Sequence, residues 1–457
     1  METKTMLSAL RRTALLAATA LVVGACDNDF TVPNYNNPAR EDLTGSPTQA
    51  TIAAAVRGIV STHRGLKAGM VTRYGVWGRE GYDLRPEEPR PFTDALIDPI
   101  DPVNGGQYFS GQYTQITQIN TVLTALENSS LDEGERRAVA GFVKTFKADA
   151  FWQAAISRAE EVGLPLDPNP DPNGELTPIS SKAEVWAYIN NLYDEAQADL
   201  QAGGSSFPFD LPPGFSDFNT PSDFIQVNRA LKALALKYQG DWPGTLAALN
   251  ASFVDPNQPM DYGVGFDYST ISGDASNGFF TSPYHHAHPR VRDDAQIQPD
   301  GSVDQRVQDK LVPEEPFTLF GVTTFDEIDV YQSLTAPMPW VTNKLLLLMQ
   351  AEAQLASGQR GPAITAVNAV RTEDGGLAAL PGDWNGDLLD EILYNKLRSL
   401  LWEGGYQYLD YRQYDLLDEL PRAAENHGVY PGFPYPSNEC LARDIMSQVE
   451  CTTYFAN

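Results

Sequence analysis

The chain has 457 residues, and 32 Lys and Arg against 60 Asp and Glu give it a formal net charge of −28 at pH 7. This charge disfavours nucleic acid and anionic membrane surfaces as partners, because both require a positive protein face. Hydrophobic residues make up 42% of the chain and charged residues 20%, a composition that excludes a wholly disordered protein and predicts a sizeable core.

Residues 1–25 have the pattern of a signal peptide, with basic residues followed by an apolar run over 13–23. The run is about half of the ~20 residues that a membrane-spanning helix needs. It leads into Val-Gly-Ala-Cys26, which resembles a bacterial lipobox. We therefore predict that Cys26 is acylated and anchors the chain to a membrane. An ordinary secretory signal is the alternative. Residues 26–45 are predicted to form a polar tether.

Residues 46–457 are predicted to form a single domain in which helices alternate with irregular segments. A capping box at Ser46 begins the first helix, and another at Ser181 begins a later one. Apolar residues at helical spacing predict further helices over about 107–127, 133–161, 224–239, 243–253, 341–356, 361–371 and 387–402. Because the helices follow each other as pairs with short turns, we predict a mainly α fold. Its tetratricopeptide-like helix pairs would form an α/α superhelix with few short strands.

Three segments, about 62–106, 203–222 and 254–335, show no sustained period and are rich in Gly, Pro, Asp, Asn and aromatic residues. Long irregular insertions in a folded chain usually carry function, so we predict that they bind ligand. Aromatic faces stack on sugar rings or hold peptide side chains, and Asp and Asn fix hydroxyl groups. The alternative for each ring is packing in the core. The predicted ligand contacts are Trp77, Tyr82, Tyr284 and Trp384, with Asp83 and Asn277 as polar partners.

The common signatures of hydrolases, nucleotide-binding proteins and zinc proteases are absent from the sequence. His285, His286 and His288 lie close in sequence, and we predict a solvent-exposed loop there in preference to a metal site. Residues 167–174 imitate a calcium loop, but Ser180 stands where a bidentate Glu is required. No cofactor is therefore expected, although the oxygen-rich composition is compatible with weak structural Ca²⁺.

Cys440 and Cys451 are the two cysteines left once Cys26 is acylated. They lie 451 − 440 = 11 residues apart in a chain that is predicted to be exported. Disulfides persist in such oxidising compartments. We predict a disulfide between Cys440 and Cys451.

Several sequence blocks resemble motifs of the SusD/RagB family of surface lipoproteins. LMQAEA at 348–353 and AVNAVR at 366–371 are similar to the family's LL-x-AEA and A-x-N-x-VR pair. KLRSLLWEG at 396–404 is similar to its ER-x-x-EL-x-x-EG helix, and PYPSNE at 434–439 to its closing P-I-P-x-x-E. GLPL at 163–166 matches its G-x-P-L turn. The likeness covers nearly the whole mature chain in order.

The resemblance has local departures, since Lys396 and Ser399 replace the usual Arg and Glu of the family's helix. These changes alter the expected ion pairs but leave the apolar face of the helix intact. DYR at 410–412 is similar to the family's DL-x-R. We interpret Glu403, Asp410 and Arg412 as structural residues.

The resemblance implies a lipid-anchored protein on the cell surface of the outer membrane. It would bind a nutrient without catalysis and deliver it to a TonB-dependent SusC-like transporter. An oligosaccharide ligand is favoured over a peptide. A tetratricopeptide-type assembly scaffold and a surface glycoside hydrolase are the alternatives from other classes. Asp27, directly after Cys26, is a residue type that retains some lipoproteins at the inner membrane, but the resemblance favours the outer membrane.

Overall fold

The computed structural model describes residues 43–97, 107–158, 163–168 and 174–445, and within these ranges the protein is mainly helical. The helices are α1 (Gln49–Trp77), α2 (Arg90–Leu96), α3 (Gln107–Glu127), α4 (Glu133–Ile156), α5 (Lys182–Gln201), α6 (Pro221–Tyr238), α7 (Trp242–Asn250), α8 (Arg290–Asp293), α9 (Gln305–Lys310), α10 (Asn343–Ala356), α11 (Arg360–Glu373), α12 (Leu388–Ser399), α13 (Tyr406–Gln413) and α14 (Ser437–Ala442). The strands are β1 (Gly81–Asp83), β2 (Leu164–Pro165), β3 (Ile179–Ser180), β4 (Gly263–Phe266), β5 (His285–Ala287), β6 (Leu311–Leu319), β7 (Val322–Ile328) and β8 (Met338–Thr342).

Helices that are consecutive in sequence pack on each other. The main contacts join α3 to α4, α4 to α5, α5 to α6, α6 to α7 and α10 to α11. Capping boxes begin two of these helices, with Asp132 and Glu135 at α4 and Ser181 and Glu184 at α5. The predicted mainly α fold of helix pairs is thus confirmed, as is the capping box at Ser181.

The first helix differs from the prediction at both ends. It is capped by the Thr48 hydroxyl, which accepts the N–H of Thr51, so the predicted cap at Ser46 is wrong. It also continues to Trp77, through the first third of the segment 62–106 that was predicted to be irregular. The buried face of this part includes His63, Lys67, Met70 and Tyr74, which recur at helical spacing. Two of these four residues are polar, and they concealed the apolar period.

The segment over 254–335 contains most of the β-structure. Its strands β5, β7 and β6 join β1 in a four-stranded sheet of order β1-β5-β7-β6, in which each neighbouring pair is antiparallel. The prediction that the histidine cluster is an exposed loop is wrong, because His285, His286 and His288 are buried. His286 Nδ1 lies 2.6 Å from Glu314 Oε1. Within the described ranges, no group of metal-ligating side chains is arranged to hold an ion.

The core contains a network of four charged side chains, each at most 1% exposed. Lys237 pairs with Asp410 and lies 3.2 Å from Glu352, and Lys396 lies 2.6 Å from Asp410 and 2.8 Å from Glu352. The Tyr238 hydroxyl donates to Asp410 at 2.9 Å. This network ties α6, α10, α12 and α13 together, in agreement with the structural role predicted for Asp410.

Glu80 is another buried acid, and its Oε2 accepts the N–H of Trp402 at 2.8 Å. Burial raises the pKa of Glu80 from 4.5 to about 7, against the opposing effect of the amides of Trp402 and Gln407. The folded state therefore binds the proton of the Glu80 carboxyl group more tightly than the unfolded state does. As a consequence, the free energy of unfolding falls as the pH rises from about 4.5 to about 7.

The variant Glu80→Gln keeps the acceptor oxygen but has no charge to bury. We expect it to abolish this fall and to raise the free energy of unfolding at pH 8 by about 3 kcal/mol at most. Urea unfolding of both proteins at pH 5 and pH 8 measures the effect. Glu315→Gln, at an exposed carboxylate, is the control and should keep the wild-type pH dependence. A fall of unchanged size in Glu80→Gln would contradict the prediction.

Several predicted features fall on the rest of the chain. The signal peptide, the acylated Cys26 and the tether up to residue 42 lie outside the described residues. Cys440 is disulfide-bonded, but its predicted partner Cys451 also lies outside them, as do residues 169–173 of the calcium-like loop. No helix in the described part of the chain has the length and apolar character needed to cross a membrane.

Candidate functional site

A cleft with a volume of about 840 Å³ opens between α1, α3 and the loops over 210–213 and 266–274. Its size falls within the range of about 300–1,000 Å³ that is common for small-ligand sites. The upper part of that range accommodates a ligand of several rings. We therefore treat this cleft as the candidate functional site.

Two helix faces form one side of the cleft. Thr117, Gln118 and Thr121 line it from α3, and Arg57 lines it from α1. The hydroxyls of Thr117 and Thr121 donate to the backbone carbonyls four residues before them, at 2.9 Å in each case. Their oxygens keep lone pairs that are able to accept a further hydrogen bond. This helix face thus presents a row of hydrogen-bonding groups, while the apolar residues beside it point into the core.

Arg64 of α1 fixes the loop that forms the opposite wall. It is 9% exposed, donates to Asp274 Oδ1 at 2.7 Å and to the carbonyl of Asp267, and its guanidinium lies 4.7 Å from the ring centroid of Tyr268. Burial alone would raise the pKa of Asp274, but the hydrogen bonds from Arg64 and the Ala275 amide lower it below its ordinary value. The wall is therefore held in place and carries an ionised carboxylate at neutral pH.

Several polar side chains of the lining have no partner among the described residues, and three of them differ in charge and chemistry. Arg57 and Asp210 are exposed and make no hydrogen bond or ion pair there, and the buried Oε1 of Gln118 also lacks a donor. They offer a cation, an anion and an amide to whatever enters the cleft. Such a mixture suits hydroxyl groups, because each hydroxyl both donates and accepts a hydrogen bond.

Two of the residues that were predicted to stack on a ligand lie in the core and not at the surface. Trp77 is 2% exposed, its Nε1 donates to the carbonyl of Ala95 at 3.0 Å, and its ring stacks on Phe433 with centroids 4.5 Å apart. Tyr82 is 1% exposed and packs between Phe92 and His288. Because neither ring has a free face, the prediction that they stack on a ligand is corrected to a role in packing.

The two predicted polar partners are also buried, and their polar groups are used within the protein. Asp83 accepts two hydrogen bonds from Arg85, each at 2.8 Å. Asn277 donates to the carbonyl of Ala336 at 2.8 Å and accepts the N–H of Phe279 at 2.9 Å. Both side chains hold loops in place in this structure, so the prediction that they contact ligand is corrected.

Tyr284 and Trp384 are half-buried, and their roles as ligand contacts stay predictions. The carbonyl of Tyr284 accepts the N–H of Leu84 beside the β1–β5 pair, which brings this residue close to Tyr82 and Asp83. Its hydroxyl is hydrogen-bonded to Glu87, and this bond raises the pKa of the phenol. Trp384 lies outside that sheet, where the guanidinium of Arg360 is 5.7 Å from its ring centroid.

No local pattern in the sequence indicates the cleft itself. Its free polar groups, at Arg57 and Gln118, lie on helices whose polar positions are typical of a solvated face. Asp210 could have been found from the sequence, because it falls in the segment 203–222 that was predicted to carry ligand contacts. What identifies the site is the packing of α1 on α3 and the long-range contact from Arg64 to Asp274.

No family model matches the chain, and no curated protein matches it either. Solved structures do resemble it. A SusD superfamily protein from Bacteroides vulgatus has a TM-score of 0.66 at 14% identity, with 87% of this chain and 97% of that chain covered. A SusD-like carbohydrate-binding protein from Bacteroides fragilis has a TM-score of 0.64 at 14% identity, with 80% and 87% covered. A laminarin-binding SusD-like protein has a TM-score of 0.60 at 14% identity, with 86% and 97% covered. The chain has the SusD-like fold, and the predicted resemblance is confirmed at that level.

Proposed function

From the SusD-like fold we propose that this protein binds an oligosaccharide in the cleft between α1 and α3. We further propose that it does so as a lipoprotein anchored through Cys26 on the surface of the outer membrane. It then passes the ligand to a TonB-dependent SusC-like transporter. The observation that carries the proposal is the cleft of about 840 Å³ lined by unpartnered polar groups within a SusD-like fold.

The chemistry of the lining favours a saccharide. Hydroxyl groups can donate to Asp210 and accept from Arg57 and Gln118, while apolar side chains such as Leu211 and Ile271 offer contact to the C–H faces of a ring. Structural neighbours described as carbohydrate-binding and laminarin-binding support the same ligand class. Together these points support an oligosaccharide over a peptide.

We propose binding without hydrolysis. A glycosidase needs one carboxyl group that stays protonated until its proton is transferred to the leaving oxygen. In the cleft, the pKa of Asp274 is lowered because its hydrogen bonds from Arg64 and Ala275 outweigh the effect of burial. An ionised Asp274 is suited to accept hydrogen bonds from a ligand instead of donating a proton to it.

Calorimetric titration of the mature chain with a panel of oligosaccharides tests the proposal, with Cys26→Ser used to prevent acylation. We expect a micromolar ligand and no reducing ends released from it. Arg57→Ala is expected to weaken binding about tenfold, or about 1.4 kcal/mol, at an unchanged melting temperature. The melting temperature should hold because Arg57 has no partner to lose in the described structure.

Helix α3 offers a matched control. Thr114 and Thr117 are both exposed, and each hydroxyl donates to the backbone carbonyl four residues before it at 2.9 Å. Of the two, only Thr117 lines the cleft. We expect Thr117→Val to weaken binding and Thr114→Val to leave it unchanged. If Arg57→Ala and Thr117→Val keep full affinity and Tyr284→Ala loses it, the proposed cleft is wrong and the site lies at the β1–β5 edge. Heat from short peptides but from no saccharide would overturn the ligand class.

A further inference from the structure

A small pocket lies where the end of α4 meets the start of α5, the end of α6 and helix α13. Its volume is about 40 Å³. A single water needs roughly 10–15 Å³ measured in this way, so the pocket holds a group of a few heavy atoms and is too small for a sugar ring. It shares no lining residue with the cleft.

The lining of this pocket is positively charged although the protein is strongly acidic. Lys182 and Arg412 contribute to it, and no Asp or Glu does so among the described residues. Arg158 also lines it, but its guanidinium has partners of its own, among them the carbonyl of Pro434. We call it the Lys182 pocket. Trp186 and Tyr238, both half-buried, form part of its wall. Cations gathered in this way, without a carboxylate in the same lining, favour a bound anion.

Lys182 is exceptional among the lysines of this protein. The described ranges contain nine lysines, and seven of them pair with a carboxylate: Lys144, Lys147, Lys232, Lys237, Lys310, Lys344 and Lys396. Lys67 contacts the hydroxyl of Tyr406. Lys182 makes no hydrogen bond or ion pair within the described structure, so all three of its N–H donors are free to bind a ligand.

The other polar groups of the pocket are fixed in place. Arg412 donates to the carbonyl of Ile156 at 2.6 Å and to that of Pro431 at 3.0 Å, which leaves its charge uncompensated by any described carboxylate. Gln413 donates to the carbonyl of Lys237 at 2.6 Å, and its buried Oε1 has no partner. The pocket is therefore preformed, and it combines the fixed charge of Arg412 with the ammonium group of Lys182, which has no partner among the described residues.

We propose that the Lys182 pocket binds one oxyanion group of carboxylate size. Arg and Lys form short, charge-assisted hydrogen bonds with such groups. The group is either a free small carboxylate or the side-chain carboxylate of an acidic peptide. This inference does not depend on saccharide binding in the cleft.

The test follows the melting temperature of the mature chain, with Cys26→Ser, as acetate replaces chloride at constant ionic strength. A ligand that binds only the folded state raises the melting temperature in a saturable way. We expect that rise in the wild type and no rise with acetamide, which has the same shape but no charge. Lys182→Met should shift the midpoint at least tenfold to higher acetate, and Lys182→Glu should abolish the response.

Lys232→Met is the control, because Lys232 also lies in the helical scaffold but pairs with Asp194. It should respond to acetate as the wild type does. A capped glutamate amide, compared with the capped glutamine amide, separates the two sources of the group. If the capped glutamate raises the melting temperature at a lower concentration than acetate does, the result supports a peptide side chain as the source. If both act at the same concentration, it supports a free anion. An unchanged acetate response in Lys182→Glu, or an equal response to acetamide, would overturn the proposal whether or not the cleft binds saccharide.

Discussion

Replacing Asp410 by Asn is expected to lower the free energy of unfolding by about 3–5 kcal/mol. Asp410 is fully buried and shares Lys237 and Lys396 with Glu352. Burial alone would raise the pKa of Asp410, but the two lysines lower it below its ordinary value, so it is ionised in the folded protein. The variant leaves two buried ammonium groups with a single carboxylate, and an unpaired buried charge is strongly destabilising.

A double-mutant cycle shows whether the network is the cause. Lys396→Met alone is also expected to destabilise the protein, whereas Lys396→Met with Asp410→Asn keeps the balanced pair of Lys237 and Glu352. We expect the double variant to be more stable than the sum of the single effects implies, by about 0.5–3 kcal/mol. Urea unfolding of all four proteins measures this coupling. Additive losses, or an Asp410→Asn protein as stable as the wild type, would show that the four charges do not act as a unit.

Trp77→Ala is expected to lower the free energy of unfolding by about 3–5 kcal/mol, because it removes a large ring from the packed core. The ring contacts Tyr74, Tyr408 and Phe433 with centroids 5.9, 4.9 and 4.5 Å apart. The remaining folded protein should bind its ligand with wild-type affinity, since the ring does not line the cleft. A ligand contact, as Trp77 was predicted to be from the sequence, would show the reverse pattern, with weakened binding and unchanged stability.

Urea unfolding and calorimetry on the same preparation decide between the two patterns. Trp384→Ala is the comparison, because its ring is half-buried and should lose less stability. A stable Trp77→Ala protein that no longer binds ligand would restore Trp77 as a ligand contact. A destabilised protein with full affinity would confirm its place in the core.

Much of the helical scaffold was predictable because its signals are local. A capping box is complete within four residues, so Ser181 and Glu184 marked the start of α5 correctly. The predicted range 107–127 coincides with α3, since an apolar face repeats every few residues along one segment. The predicted ends failed where polar residues form the buried face, as His63 and Lys67 do in α1.

The candidate site depended on information that no single segment contains. Arg64 and Asp274 are 210 residues apart in sequence and form one wall of the cleft. Likewise, β1 pairs with β5 across about 200 residues and buries Tyr82 together with the histidine cluster. An aromatic residue in an irregular segment has the same local pattern whether its ring is exposed or packed. For this reason the aromatic residues were predicted at the surface, and the polar lining of the cleft was missed.

The sequence by itself determined the helix pairs and the resemblance in the C-terminal blocks, and it is the basis of the predicted lipid anchor, because each of these signals is carried by residues that are neighbours along the chain. The tertiary structure decided which polar side chains lie unpartnered and which aromatic rings are buried. Both depend on contacts between distant segments, as where Asp410 meets Lys237 or where Trp77 meets Phe433. A side chain's type sets the interactions that it is able to make, and only its neighbours in space determine which of them remain free for a ligand.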